Sequence, residues 1–96
     1  MLDVQLTTTF QRWLGGLIDL RARIAIARRL ERLAAGNAGD SKSVGEGVTE
    51  MRVDVGPGYR VYYTRRGQQI VIVLAGGDKS SQQRDIQRAQ AMAKEY

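Results

Sequence analysis

Between Gly47 and Lys79 the chain carries two alternating runs and one continuously apolar run, the pattern of a small antiparallel sheet. In Val48–Val55 the side chains of Met51, Val53 and Val55 point one way, and Glu50, Arg52 and Asp54 point the other. Gly56-Pro57-Gly58 then forces a turn, because proline fixes one dihedral and glycine permits those a side chain forbids. Tyr59 to Arg65 forms the next strand, with Tyr59, Val61 and Tyr63 on one face and Arg60, Tyr62 and Thr64 on the other. Arg66-Gly67-Gln68 reads as a hairpin turn. Ile70 to Ala75 is apolar on both faces and β-branched in four of six residues, so it belongs in the middle of the sheet. Gly76-Gly77 reads as its exit and the entrance to a helix.

The flanking segments supply layers for that sheet. Val4, Leu6 and Thr8 alternate with polar neighbours, which predicts a short edge strand. Thr8 or Thr9 then caps a helix whose apolar stripe is Phe10, Trp13, Leu14 and Leu17. A longer helix runs from Asp19 to about Ala35, with Leu20, Ile24, Ala27, Leu30 and Leu33 or Ala34 as its stripe. Arg21, Arg28, Arg29 and Arg32 occupy its other face. Two such helices form a hairpin laid over one face of the sheet, because neither stripe stays wet. Gly36 to Asp40 stops the second helix, and Ser41 to Gly47 reads as an exposed polar loop. Ser80 or Ser81, with Gln83 in capping-box position, opens a last helix lined by Ile86, Ala89 and Ala93. The order β-α-α-β-β-β-α describes a single α+β domain over residues 1–96.

Composition removes several kinds of chemistry. The chain has no cysteine and no histidine, so disulfides, thiol catalysis, imidazole bases and the usual zinc clusters are excluded. No compact Asp/Glu cluster suggests a metal site, and no cofactor is expected. The longest apolar run is six residues, far short of the roughly 20 a membrane span needs, so a cytoplasmic protein with no membrane partner is expected. A net charge of +5 suits a polyanionic partner such as RNA, and it also suits simple solubility.

The charged strand faces hold the candidate site. If the Gly56–Gly58 turn pairs its strands in the obvious register, Arg52 and Arg60 share a face with Glu50 and Asp54. Lys79 reaches its rim from the end of the apolar strand, and Lys42 approaches from the preceding loop. Such a surface could hold a phosphodiester and neutralise charge in a transition state. The same residues also fit ordinary cross-strand pairing on a wet sheet. Arg60 is set among aromatics in Tyr59-Arg60-Val61-Tyr62-Tyr63, with Tyr62 on its own face and Tyr59 and Tyr63 turned to the core.

The segments Gly36 to Asp40, Gly45 to Arg52, Gly56 to Tyr63 and Leu74 to Gln82, followed by Asp85, Ile86 and Ala89, resemble addiction-module killer proteins related to phage-derived Gp49, within the RelE/HigB-like toxin superfamily. The likeness runs from Phe10 through Ala91. It implies a RelE-like fold and the toxin of a type II toxin–antitoxin system, neutralised by a helix-turn-helix antitoxin and meeting operator DNA only through that complex. Characterised members of the superfamily enter the ribosome and cut mRNA, the 2′-hydroxyl attacking the adjacent phosphate. By position, Arg60 matches the phosphate-stabilising arginine and Lys79 a second cation, with Arg52 and Lys42 as further basic positions. Glu50, Lys42 or a lysine with an unusually perturbed pKa would have to serve as the base. Lys42, Tyr62, Arg65 and Arg84 are expected on the RNA-binding side. The departures are the missing histidines and the stretch Gln82-Gln83-Arg84-Asp85, where RelE-like members carry a stacking tyrosine. These leave an alternative, a non-cleaving protein that binds its antitoxin or blocks translation by occupancy.

Overall fold

The computed structural model describes residues 1–96. Its elements are β1 (Asp3–Leu6), α1 (Thr8–Gly15), α2 (Leu20–Ala34), β2 (Ser41–Ser43), β3 (Val48–Val53), β4 (Tyr59–Arg66), β5 (Ile70–Asp78), a 3₁₀ turn (Lys79–Ser81) and α3 (Gln82–Ala93). The five strands form one sheet in the order β1-β5-β4-β3-β2. All neighbours are antiparallel except β1, which joins β5 in parallel from Asp3 opposite Ile70 to Leu6 opposite Val73. This is the α+β architecture expected, an N-terminal strand and helical hairpin on a mainly antiparallel sheet, with a C-terminal helix.

The sheet is covered on both faces. On one side Met51, Val61, Tyr63, Val71 and Val73 pack against Phe10 of α1 and Ile26 of α2. On the other, Val48, Tyr62, Ile72, Leu74 and Ala75 pack against Ala89 and Ala93 of α3. The apolar run of β5 meets both layers, as its composition requires. Leu74 and Ala75 turn to the same side because the register slips there, Tyr62 lying opposite Ala75 but Tyr63 opposite Val73. That bulge leaves the Leu74 carbonyl to accept from the Thr7 hydroxyl at 2.7 Å.

Four local expectations are corrected. The N-cap of α1 is Thr7, whose hydroxyl oxygen accepts from Phe10 N, one residue before the threonines read as caps. Ser41–Ser43 is an edge strand and not a loop; its pairing with β3 is a backbone property that Ser-Lys-Ser does not announce. Strand β5 continues through Gly76 and Gly77 to Asp78. Helix α2 is rolled away from its expected stripe: Ala22, Ile26 and Leu33 are buried, while Leu20 and Ile24 are exposed. The buried face packs Ala22, Ile26 and Leu33 into the core, and Arg29 turns inward beside them to donate to the carbonyls of Arg52 and Ala38. Gly39, at φ +66°, leaves room for that guanidinium, which lies 2.8 Å from where a β-carbon would sit.

Candidate functional site

The Gly56–Gly58 turn sets the register that builds the site. It places Arg52 directly opposite Arg60, with Glu50 opposite Tyr62 on the same face and Lys42 of β2 opposite Glu50. A cleft of about 320 Å³ opens at the end of these strands, walled by the turn and by Asp40, Arg52, Asp54, Tyr59, Arg60 and Lys79. Each wall is held in place by backbone chemistry. Arg52 N donates to the Asp40 carbonyl at 2.9 Å, and Arg29 clamps the same two segments together. Asp78 caps the turn that presents Lys79, accepting from Ser80 N at 2.8 Å and from the Ser80 hydroxyl at 2.6 Å. Those hydrogen bonds hold the Asp78 carboxyl below its ordinary pKa, the hydroxyl contributing most.

Beneath the cleft lies a buried polar network. Glu50 is wholly buried and accepts from Tyr62 Oη at 3.1 Å and Gln82 Nε2 at 3.0 Å. Its other oxygen, Oε1, faces Arg52 Nε at 3.5 Å, and Arg60 Nε stands 3.8 Å from Oε2, the oxygen that accepts from Tyr62 and Gln82. Arg60 is only 7 % exposed, and its Nε has no hydrogen-bond partner. The Glu50 carboxyl group lies beneath this buried guanidinium without bonding its Nε. The Tyr62 hydroxyl is pushed above its ordinary pKa, first by burial and then by the negative charge and hydrogen bond of Glu50.

The structure therefore brings Arg52, Arg60 and Lys79 together at one cleft and sets Glu50 below them. Two residues expected on a wet face are sealed instead. Helix α3 lies over Glu50 and Tyr62, so Glu50 has no accessible carboxylate and Tyr62 no exposed ring for a base to stack on. Lys42 is exposed on the edge strand and lies outside the cleft lining. Arg65 lies at the far end of β4, exposed, donating to the Gln68 carbonyl at 3.1 Å. Arg84 is exposed on the first turn of α3.

Three contributors escaped the sequence reading. Asp40 reaches the cleft through backbone pairing with Arg52, which no side-chain pattern signals. Gln82 sits in the stretch noted only for its lack of tyrosine, and it ties α3 to Glu50 across 32 positions of sequence. Asp85 is buried against Gly77 and accepts from the Ser81 hydroxyl. A β-carbon at Gly77 would collide with the Asp85 carboxylate, which gives the adjacent glycines a role: Gly76 admits Trp13 on one face and Gly77 admits Asp85 on the other. No three carboxylates come together in a group that could hold a metal ion.

A family model described as phage-derived protein Gp49-like (DUF891) matches residues 12–95. The chain belongs to this family. The Gp49-like family is one of RelE/toxin-like addiction-module proteins, and membership implies an antitoxin partner. The fold of this Gp49-like protein is consistent with a RelE-like fold. It is also 47 % identical over 94 residues to a Haemophilus influenzae protein, covering 98 % of this chain and 95 % of the relative, which is described only as uncharacterized. No helix of the Gp49-like protein is long and apolar enough to cross a membrane.

Proposed function

We propose that this Gp49-like protein is the toxin of a type II toxin–antitoxin pair and acts in the cytoplasm as a ribosome-dependent endoribonuclease. The observation that carries this reading is the convergence of Arg52, Arg60 and Lys79 on one open cleft. An anion entering the cleft meets the side chains of Arg52, Arg60 and Lys79 together, charged donors that suit phosphoryl oxygens. In the reaction, the 2′-oxygen loses its proton and forms a bond to the adjacent phosphorus, the bond to the 5′-oxygen breaks, that oxygen takes a proton from water at the open cleft and leaves as a 5′-hydroxyl, and a 2′,3′-cyclic phosphate remains. Arg60 and Lys79 stabilise the charge that gathers on the phosphoryl oxygens, with Arg52 beside them.

Glu50 serves as a positioning residue. It holds Arg52 and Arg60 in place from below and does not meet the 2′-hydroxyl. The accessible carboxylates of the cleft, Asp40 and Asp54, are the groups available to take the 2′ proton. The cognate helix-turn-helix antitoxin is the regulatory partner, with operator DNA met through that complex. Lys42, Arg65 and Arg84 are left for peripheral contacts to RNA, outside the catalytic group.

The sealing of Glu50 favours one alternative: a protein that docks on the ribosome and blocks translation by occupancy without cutting. Primer-extension mapping of messenger ends in a purified translation system separates the two. Cuts that require ribosomes and fall by about 10²–10³ or more in an Arg60→Ala/Lys79→Ala variant are the expected result. Inhibited translation with intact messenger from the unaltered protein would overturn the nuclease reading and leave the occupancy reading standing.

A further inference from the structure

A second groove, of about 240 Å³, lies between α2 and the end of β3. Arg28, Arg29 and Arg32 line it together with Val53 and Asp54, and these last two residues also line the first cleft. The two concavities are thus neighbours across one strand end. Arg29 lines the second groove, and its guanidinium is committed to the carbonyls of Arg52 and Ala38, one on the strand and one in the loop leading to Asp40. Arg28 and Arg32 have no such commitment. Both are exposed, and neither forms an ion pair or a side-chain hydrogen bond with the rest of the chain.

Their spacing is one helical turn, about 6 Å along the axis, on the scale that separates adjacent phosphates of an extended strand. Two unpaired guanidiniums on a rigid helix offer planar, forked donors that match phosphate oxygens. Helix geometry fixes their separation, and the roll of α2 places both on the groove lining.

We propose that this α2 groove is a second RNA-phosphate subsite, in which Arg28 and Arg32 grip the backbone beside the nucleotides held in the Arg52–Arg60–Lys79 cleft. The proposal rests on the reading of that cleft as an RNA site. The shared ligand chemistry is an RNA phosphate, supplied either by the messenger running out of the cleft or by ribosomal RNA beside it. An acidic segment of a protein partner is the competing occupant. Continuity with the cleft favours RNA, because Val53 and Asp54 line both concavities, so a strand held at Arg60 that leaves the cleft past them meets Arg28 and Arg32 next.

The test compares the unaltered protein with an Arg28→Gln/Arg32→Gln variant, both changes lying on exposed positions. Binding is measured against salt with three probes: a short, fully 2′-O-methylated oligoribonucleotide, which lacks the attacking hydroxyl, ribosomes without messenger, and ribosomes programmed with messenger. Loss of two phosphate contacts is expected to flatten the log K against log salt slope by about 1.4 on the free oligonucleotide. The positions of messenger cuts should not change. Flattening on ribosomes but not on the free strand would assign the phosphates to ribosomal RNA and retain the subsite. Equal slopes and affinities for both proteins on all three probes would overturn it. So would loss of binding to the co-encoded antitoxin with RNA binding unchanged. If the unaltered protein binds none of the probes, the reading of the cleft itself fails, a result distinct from equal binding by the two proteins.

Discussion

The two faces of the sheet are built on different physics. The face under the α1–α2 hairpin is a core of eleven buried residues, Phe10, Ile26, Met51 and Val73 among them, held by apolar burial. The face under α3 has seven buried apolar residues and, at one end, the Glu50–Tyr62–Gln82 network with Arg60 beside it. Helix α3 is correspondingly held at polar points: Gln82 on Glu50, Gln90 on the Val44 carbonyl at 2.7 Å, and Arg66 on the carbonyls of Ala93 and Tyr96. A polar seam holds less stability per unit of buried area than an apolar one, but it fixes where charges point. The hairpin face makes the domain stable, and the α3 face makes the cleft.

A pair of substitutions of similar energetic size breaks or upholds that division. Phe10→Ala removes a fully buried ring from the hairpin face and should cost about 3–5 kcal/mol in urea unfolding. Glu50→Gln leaves Arg60 buried without its counter-charge and should cost about 3 kcal/mol. Cleavage per folded molecule, measured well below the unfolding midpoint, should survive in Phe10→Ala and fall at least tenfold in Glu50→Gln. Equal activity in the two variants would mean that the network is only structural.

The adjacent glycines pose the same question at smaller cost. Gly76→Ala drives a methyl into the Trp13 ring on the hairpin side, and Gly77→Ala drives one into the Asp85 carboxylate on the α3 side. Each should cost about 1–3 kcal/mol as overpacking. Only Gly77→Ala pushes against the first turn of α3, next to Gln82, so only it should also depress cleavage. Thermal unfolding and the messenger assay, run side by side, check both statements.

How much of this was legible in the sequence follows from how far each signal reaches. Period-two alternation is local, so β3 and β4 and their faces could be read directly, but the pairing of Arg52 with Arg60 depended on a register that alternation leaves open to a one-residue slip. What covers a face is not local. The small residues Ala89 and Ala93 suit packing on the sheet or on the hairpin, so nothing in the chain announced that α3 would seal Glu50 and Tyr62. Helix roll failed for a related reason. Arg29 counts as polar in any periodicity, although its stem spans the interface and its head bonds to backbone carbonyls. Gly76-Gly77 looked like a strand exit because glycine is a common terminator. Here it marks a strand on which two other elements press closely.

The finest probe of the α3 face is its buried phenol. Tyr62→Phe removes one donor to Glu50 and should cost about 1 kcal/mol at neutral pH. The sign of its pH dependence follows from the raised pKa of Tyr62 in the folded protein. The folded state keeps the proton where the unfolded chain, with an ordinary tyrosine near pKa 10, releases it. The contribution of Tyr62 is therefore complete below about pH 10 and declines above it, by up to about 1.4 kcal/mol per pH unit, until the folded-state pKa is reached. The two proteins differ only at this phenol, so the difference in unfolding free energy between the protein and Tyr62→Phe isolates this one group. That difference should shrink above pH 10 and then change sign. A difference that stays constant through pH 11 would mean that the phenol ionises as readily folded as unfolded, and that the α3 face is open to solvent at Glu50.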